Sequence, residues 1–109
     1  MSAYKTISLT RTGDGSVVFD RSNTRWSMDS YPSNAQISVS GLPALGLFNV
    51  DIMPAGHESF KRHITDATSN DLVMISGKEA PIFQQIRISA SATGGADLTI
   101  YLTLWERGI

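Results

Sequence analysis

The feature that most constrains this chain is the strict two-residue alternation near its C-terminus. Leu98, Ile100, Leu102 and Leu104 alternate with Thr99, Tyr101, Thr103 and Trp105. Successive side chains of a strand point to opposite faces, so this run sets four aliphatic side chains on one face and Thr, Tyr, Thr and Trp on the other. The same period recurs in Ile7 and Leu9, in Ile37 and Val39, in Phe48, Val50 and Ile52, and in Ile86, Ile88 and Ala90. Ile7, Leu9, Val50, Ile52, Ile86, Ile88, Leu98, Ile100, Leu102 and Leu104 are the expected core. Leu72 to Ile75 is a short apolar run between Asn70-Asp71 and Gly77, which reads as a strand covered on both faces.

Turn residues separate these runs. Thr12-Gly13-Asp14-Gly15 and Thr93-Gly94-Gly95-Ala96 supply the positive φ of a tight return and read as two hairpins. One segment departs from the alternation: Phe60 and Ile64 carry the i, i+4 spacing of a helical face, while Gly56 and the β-branched Ile64 weaken a helix, leaving a single turn and an irregular strand equally open. Strands at 8–12-residue spacing predict an all-β fold, a single antiparallel β-sandwich or jelly-roll-like barrel of about seven or eight strands over residues 1–109.

Composition narrows the function classes. The chain holds 109 residues with no cysteine, which removes disulfides, thiolate metal sites and cysteine nucleophiles together. A formal charge of −1 offers no basic surplus for phosphate neutralisation, so no nucleic-acid partner is expected. No apolar run approaches the roughly 20 residues that span a bilayer, and the start lacks a secretory pattern, so no membrane partner is expected and synthesis is placed in a cytoplasm.

Catalytic patterns are missing as well. His57 and His63 are the only histidines, and Lys61 stands where a zinc-protease helix would carry its second histidine. No serine sits in a Gly-x-Ser-x-Gly elbow, and the glycine pairs lack the lysine of a phosphate loop. The expectation is a non-enzymatic chain with no cofactor and no metal.

Aromatic and apolar surface candidates carry more. Trp26, Tyr31, Tyr101 and Trp105 lie beside polar neighbours or on the polar side of an alternating strand. They are either interface anchors or the cover of a second core face. Gly41 to Leu47 is an apolar loop, either tucked over the core or docked on a neighbour, and Leu42 and Leu45 are its candidate contacts. The expected partner-binding set is therefore Trp26, Tyr31, Leu42, Leu45, Tyr101 and Trp105.

The stretch Ile75 to Ile88, with the Thr93-Gly94-Gly95 turn and Leu98 to Tyr101-Leu102, resembles the closing hairpin of small virion proteins of tailed bacteriophages. The likeness covers about a third of the chain and includes no ligand motif. It implies a β-sandwich or jelly-roll structural protein of the particle: a decoration or cement protein on the capsid, or a neck or tail accessory protein. Its implied partners are further copies of itself, as a homo-oligomer, and the phage major capsid protein, with the virion as its place. Alternation already at Lys5 departs from the long flexible arm with which the best-known decoration proteins begin, so arm exchange is not expected. A sandwich that binds carbohydrate or another small ligand through the same aromatics is the alternative.

Overall fold

The computed structural model describes residues 4–20, 34–54, 56–75 and 83–105. Eight strands run through them: β1 (Tyr4–Thr12), β2 (Gly15–Phe19), β3 (Asn34–Ser40), β4 (Leu47–Pro54), β5 (Lys61–Ala67), β6 (Val73–Ile75), β7 (Phe83–Ser91) and β8 (Asp97–Trp105). No described residue is helical.

Pairing runs first to last. β1 pairs with β8, β2 with β7, β3 with β6 and β4 with β5, as in one long hairpin. Two more ladders, β3 with β8 and β4 with β7, roll that hairpin into two four-stranded antiparallel sheets, ordered β1-β8-β3-β6 and β2-β7-β4-β5. This wrapping is the jelly roll, the two-sheet answer to the edge problem of an antiparallel chain. The all-β sandwich read from the alternation is the fold observed.

The strands are where the alternation puts them, but two expected hairpins are not hairpins. β1 and β2 lie in different sheets, and so do β7 and β8. Both glycine turns are arches that carry the chain from one sheet across the core to the other. The positive φ of Gly13, Gly94 and Gly95 serves an arch as well as a hairpin. Among the eight strands only β4 and β5 are chain neighbours that also pair. The two arches are tied to each other: Gly13 N–H donates to the Ala96 carbonyl at 3.0 Å, and Thr12 Oγ1 donates to Asp97 Oδ1 at 2.7 Å. Asp14 Oδ1 accepts both the Thr93 N–H at 2.9 Å and the Thr93 hydroxyl at 2.6 Å.

The core lies between the sheets. Ile37, Val39, Leu98, Ile100, Leu102 and Leu104 enter from one side and Phe48, Val50, Ile52, Ile86 and Ile88 from the other. Ile7 and Leu9, also expected there, are only partly buried because β1 is an edge strand. The expectation that Leu72 to Ile75 is covered on both faces is also corrected. β6 is a three-residue edge strand whose Val73 and Ile75 are buried, while Leu72 and Met74 are exposed. The ambiguous segment resolves to a turn at 56–59 and a strand, β5, which pairs with β4 through two register shifts.

Candidate partner-binding face

The outer face of the β1-β8-β3-β6 sheet is built in rows across the strands. Tyr101 stands between Ser8 and Ser38, Thr103 between Thr6 and Gln36, and Thr99 between Thr10 and Ser40. Gln36 in turn faces Met74 of β6. These side chains point outward because their chain neighbours, Leu98, Ile100, Leu102 and Leu104 on β8 and Ile37 and Val39 on β3, are drawn into the core. None of these outward residues is charged, and the first carboxylate met along β8 is Asp97 at its end. Hydroxyls satisfy one another within the face, as Thr6 Oγ1 and Thr103 Oγ1 do at 3.2 Å. The result is an uncharged, hydroxyl-rich surface around the exposed ring of Tyr101. Loss of charge with gain of aromatics is the composition that marks the centre of protein interfaces.

The expected contact residues fall in different places. Tyr101 is 45% exposed at the middle of this face, and Trp105 is half-buried at the end of β8, in register with Tyr4 and Asn34. Leu45 is 82% exposed on the β3–β4 connection, whereas Leu42 of the same loop packs into the core. Trp26 and Tyr31 lie outside the described residues. Thr6, Ser8, Gln36 and Ser38 complete the face but were not singled out from sequence. Only the long-range ladders bring β1 and β3 alongside β8.

The opposite outer face is organised by charge. Asp51 of β4, almost fully buried, accepts Arg62 Nε of β5 on Oδ1 at 2.5 Å, and Arg87 Nε and Nη2 of β7 on Oδ2 at 3.2 and 3.1 Å. The Arg87 guanidinium lies 4.3 Å from the centre of the Phe60 ring, a cation–π contact. Two arginines on one carboxylate tie three adjacent strands together, which is a structural task.

Both histidines have local partners. His63 Nε2 donates to the Met74 carbonyl at 2.8 Å, linking β5 of one sheet to β6 of the other. The exposed His57 sits in the turn after β4, where its own carbonyl accepts Gln84 Nε2 at 2.7 Å. Among the described residues no three His, Asp or Glu side chains gather as a metal site would require. Beside the His63 link lies an open groove of about 270 Å³ between β5 and β6. The Asp14 carboxyl is held below the usual carboxylate value by the Thr93 hydroxyl and N–H that donate to it.

No protein-family model matches the chain, and no curated protein matches it. Among solved structures it is similar to the crystal structure of the SPBc2 prophage-derived protein YomS. The two superpose with a TM-score of 0.59 over 97% of each chain at 8% identity. At that identity the likeness is one of fold, and it extends over the whole jelly roll.

Proposed function

We propose that this chain is a non-enzymatic structural protein of a tailed-phage particle: a capsid decoration or cement protein that oligomerises and bridges neighbouring major capsid subunits. The observation that carries the reading is the neutral outer face of β1, β8 and β3, with Tyr101 at its middle. The shared fold of a prophage-derived protein supports the phage setting. Three strands about 4.8 Å apart and about 30 Å long make a flat footprint of about 400 Å². That is about half of the roughly 800 Å² each partner buries in a standard interface, so one such contact holds weakly. Many copies bound to one lattice convert weak contacts into a strong shell, which is the economy of a cement protein. On this reading the chain is made in the host cytoplasm and ends in the virion.

Mass spectrometry of density-gradient-purified particles from the source lysate tests the proposal. The chain is expected in fixed ratio to the major capsid protein and in the head fraction after heads and tails are separated. Recovery with necks or tails alone moves it to an accessory role there. Absence from particles, with saturable quenching of tryptophan fluorescence by free sugars, overturns the proposal in favour of a ligand-binding sandwich.

A further inference from the structure

We infer that the outer face of β4, β5 and β7 binds acidic peptide segments, a carboxylate of the peptide lying against the guanidiniums of Arg62 and Arg87. Both guanidiniums sit on one carboxylate, that of Asp51, Arg62 on Oδ1 and Arg87 on Oδ2. Tying three strands together uses both arginines, but balancing the charge uses only one. Two guanidiniums against one carboxylate leave one surplus positive charge at the surface.

No neighbour in register cancels that surplus. Val18, Arg87, Asp51 and Arg62 form one row across β2, β7, β4 and β5. The rows on either side hold Ser16, Ser89 and Asn49, and Gln85 and Met53, none of them charged. Asp20, just past the end of β2, has a partner of its own. The Asp51 side chain is only 4% exposed, whereas those of Arg62 and Arg87 are 48% and 37% exposed. An anion arriving from solvent therefore meets the guanidiniums and not the carboxylate beneath them.

The arginines are also held in place. Arg62 Nη1 donates to Thr65 Oγ1 at 3.3 Å, and the Arg87 guanidinium lies over the Phe60 ring. Among the described residues, Asp51 and Thr65 take four of the ten N–H donors that two guanidiniums carry. An isolated exposed ion pair is weak because two mobile side chains must be brought to one geometry. Here folding has already fixed one half of the pair, so a docking anion loses less freedom.

Charge selects the ligand. A carboxylate at −1 brings the cluster to neutrality, while a phosphate monoester at about −1.5 to −2 overshoots it. The planar fork of arginine matches the two carboxylate oxygens. Lys61, exposed one residue along the edge strand β5, offers an ion pair to a second carboxylate of the same segment, a contact that a free small acid lacks. The site goes beyond the proposed function, since it lies on the sheet opposite the Tyr101 face and is tested without particles.

Nitrogen-15 NMR of the arginine Nε–H signals, with Arg62 assigned by its loss in Arg62→Ala, reads binding directly. The protein is titrated at constant ionic strength with an end-capped hexaglutamate peptide, its hexaglutamine counterpart, sodium acetate and inorganic phosphate. Hexaglutamate is expected to shift both signals saturably at concentrations where the other three leave them unmoved. Arg62→Ala keeps the Arg87 pair with Asp51, its fold is checked by its unfolding midpoint, and it is expected to bind hexaglutamate at least about tenfold more weakly. Arg62→Lys, which restores the charge, is expected to recover part of that loss. Absence of shifts with hexaglutamate, equal shifts with hexaglutamine, tighter binding of acetate or phosphate, unchanged affinity in Arg62→Ala, or Arg62→Lys as weak as Arg62→Ala overturns the inference. A chain that binds hexaglutamate yet never enters particles leaves this inference standing and removes the proposed function. A particle-bound chain that ignores hexaglutamate does the reverse.

Discussion

Replacing Ile100 by alanine measures how the two sheets hold each other. Ile100 is 1% exposed on the inner strand β8, flanked in register by Leu9 of β1 and Val39 of β3. The change removes three carbons, which at about 0.8 kcal/mol each gives about 2.4 kcal/mol of lost transfer free energy. The neighbours are held by ladders on both sides of β8, so the cavity collapses poorly and the total rises to about 3–4 kcal/mol. Ile7→Ala removes the same atoms from the edge strand β1, where the side chain is only partly buried, and costs about 1–1.5 kcal/mol. Urea unfolding followed by tryptophan fluorescence reads both, with a lowered midpoint and an unchanged slope for each variant. Equal losses in the two variants, or a loss under about 1 kcal/mol at Ile100, would refute the assignment of β8 to the sheet interior.

Asp51→Ala leaves two guanidiniums facing each other across three strands. It is expected to cost about 2–3 kcal/mol, less than a fully buried pair because both arginines reach water, whereas Arg62→Ala costs about 1 kcal/mol because Arg87 still pairs. Equal costs by urea unfolding would show that the carboxylate is not the shared hub. Asp14 sets part of the acid limb. Its carboxylate is favoured in the folded state, so its contribution is whole above the unfolded value of 3.8 and is lost as pH falls from there through the lowered folded value. Asp14→Asn is therefore expected to be less stable than the parent at pH 7, with the gap narrowing as pH falls below 3.8; a gap independent of pH refutes the arch-to-arch bond. Gly41→Ala forces a Cβ against the Asp97 carbonyl at positive φ and is expected to cost about 2 kcal/mol or more, while Gly94→Ala, with open space around it, costs about 1 kcal/mol. Thermal unfolding that ranks them the other way contradicts the close approach of the β3–β4 loop to β8.

Alternation was legible wherever burial is one-sided. Leu98 to Leu104 and Ile86 to Ala90 were read as strands facing the core, because period two needs nothing beyond the local chain. Pairing was not legible. Asp14-Gly15 and Gly94-Gly95 return the chain in the same way whether the next strand joins the same sheet or the facing one, and in a jelly roll both arms of an arch bury one side in the same core. β6 misled for a related reason: Leu72 to Ile75 is apolar throughout, and only its place at a sheet edge leaves Leu72 and Met74 uncovered. At the candidate face, Tyr101 and Trp105 stood out as aromatics on a polar side. Their neutral surroundings depend on Ser8, Thr6, Gln36 and Ser38, which lie more than sixty residues away along the chain. Asp51 with Arg62 and Arg87 gave no signal at all, since three charges among nineteen have no spacing that announces a shared carboxylate.

The central claim is that the neutral face around Tyr101 and Trp105 is where the protein is held. Its most direct test is equilibrium binding of labelled protein to particles stripped of it, for the parent, Tyr101→Ala and Trp105→Ala. Both variants are expected to keep the parent's unfolding midpoint within a few degrees and to bind about thirtyfold more weakly, the loss of about 2 kcal/mol that an aromatic anchor carries. Variants that fold and bind as tightly as the parent would contradict the account and place the contact on another surface.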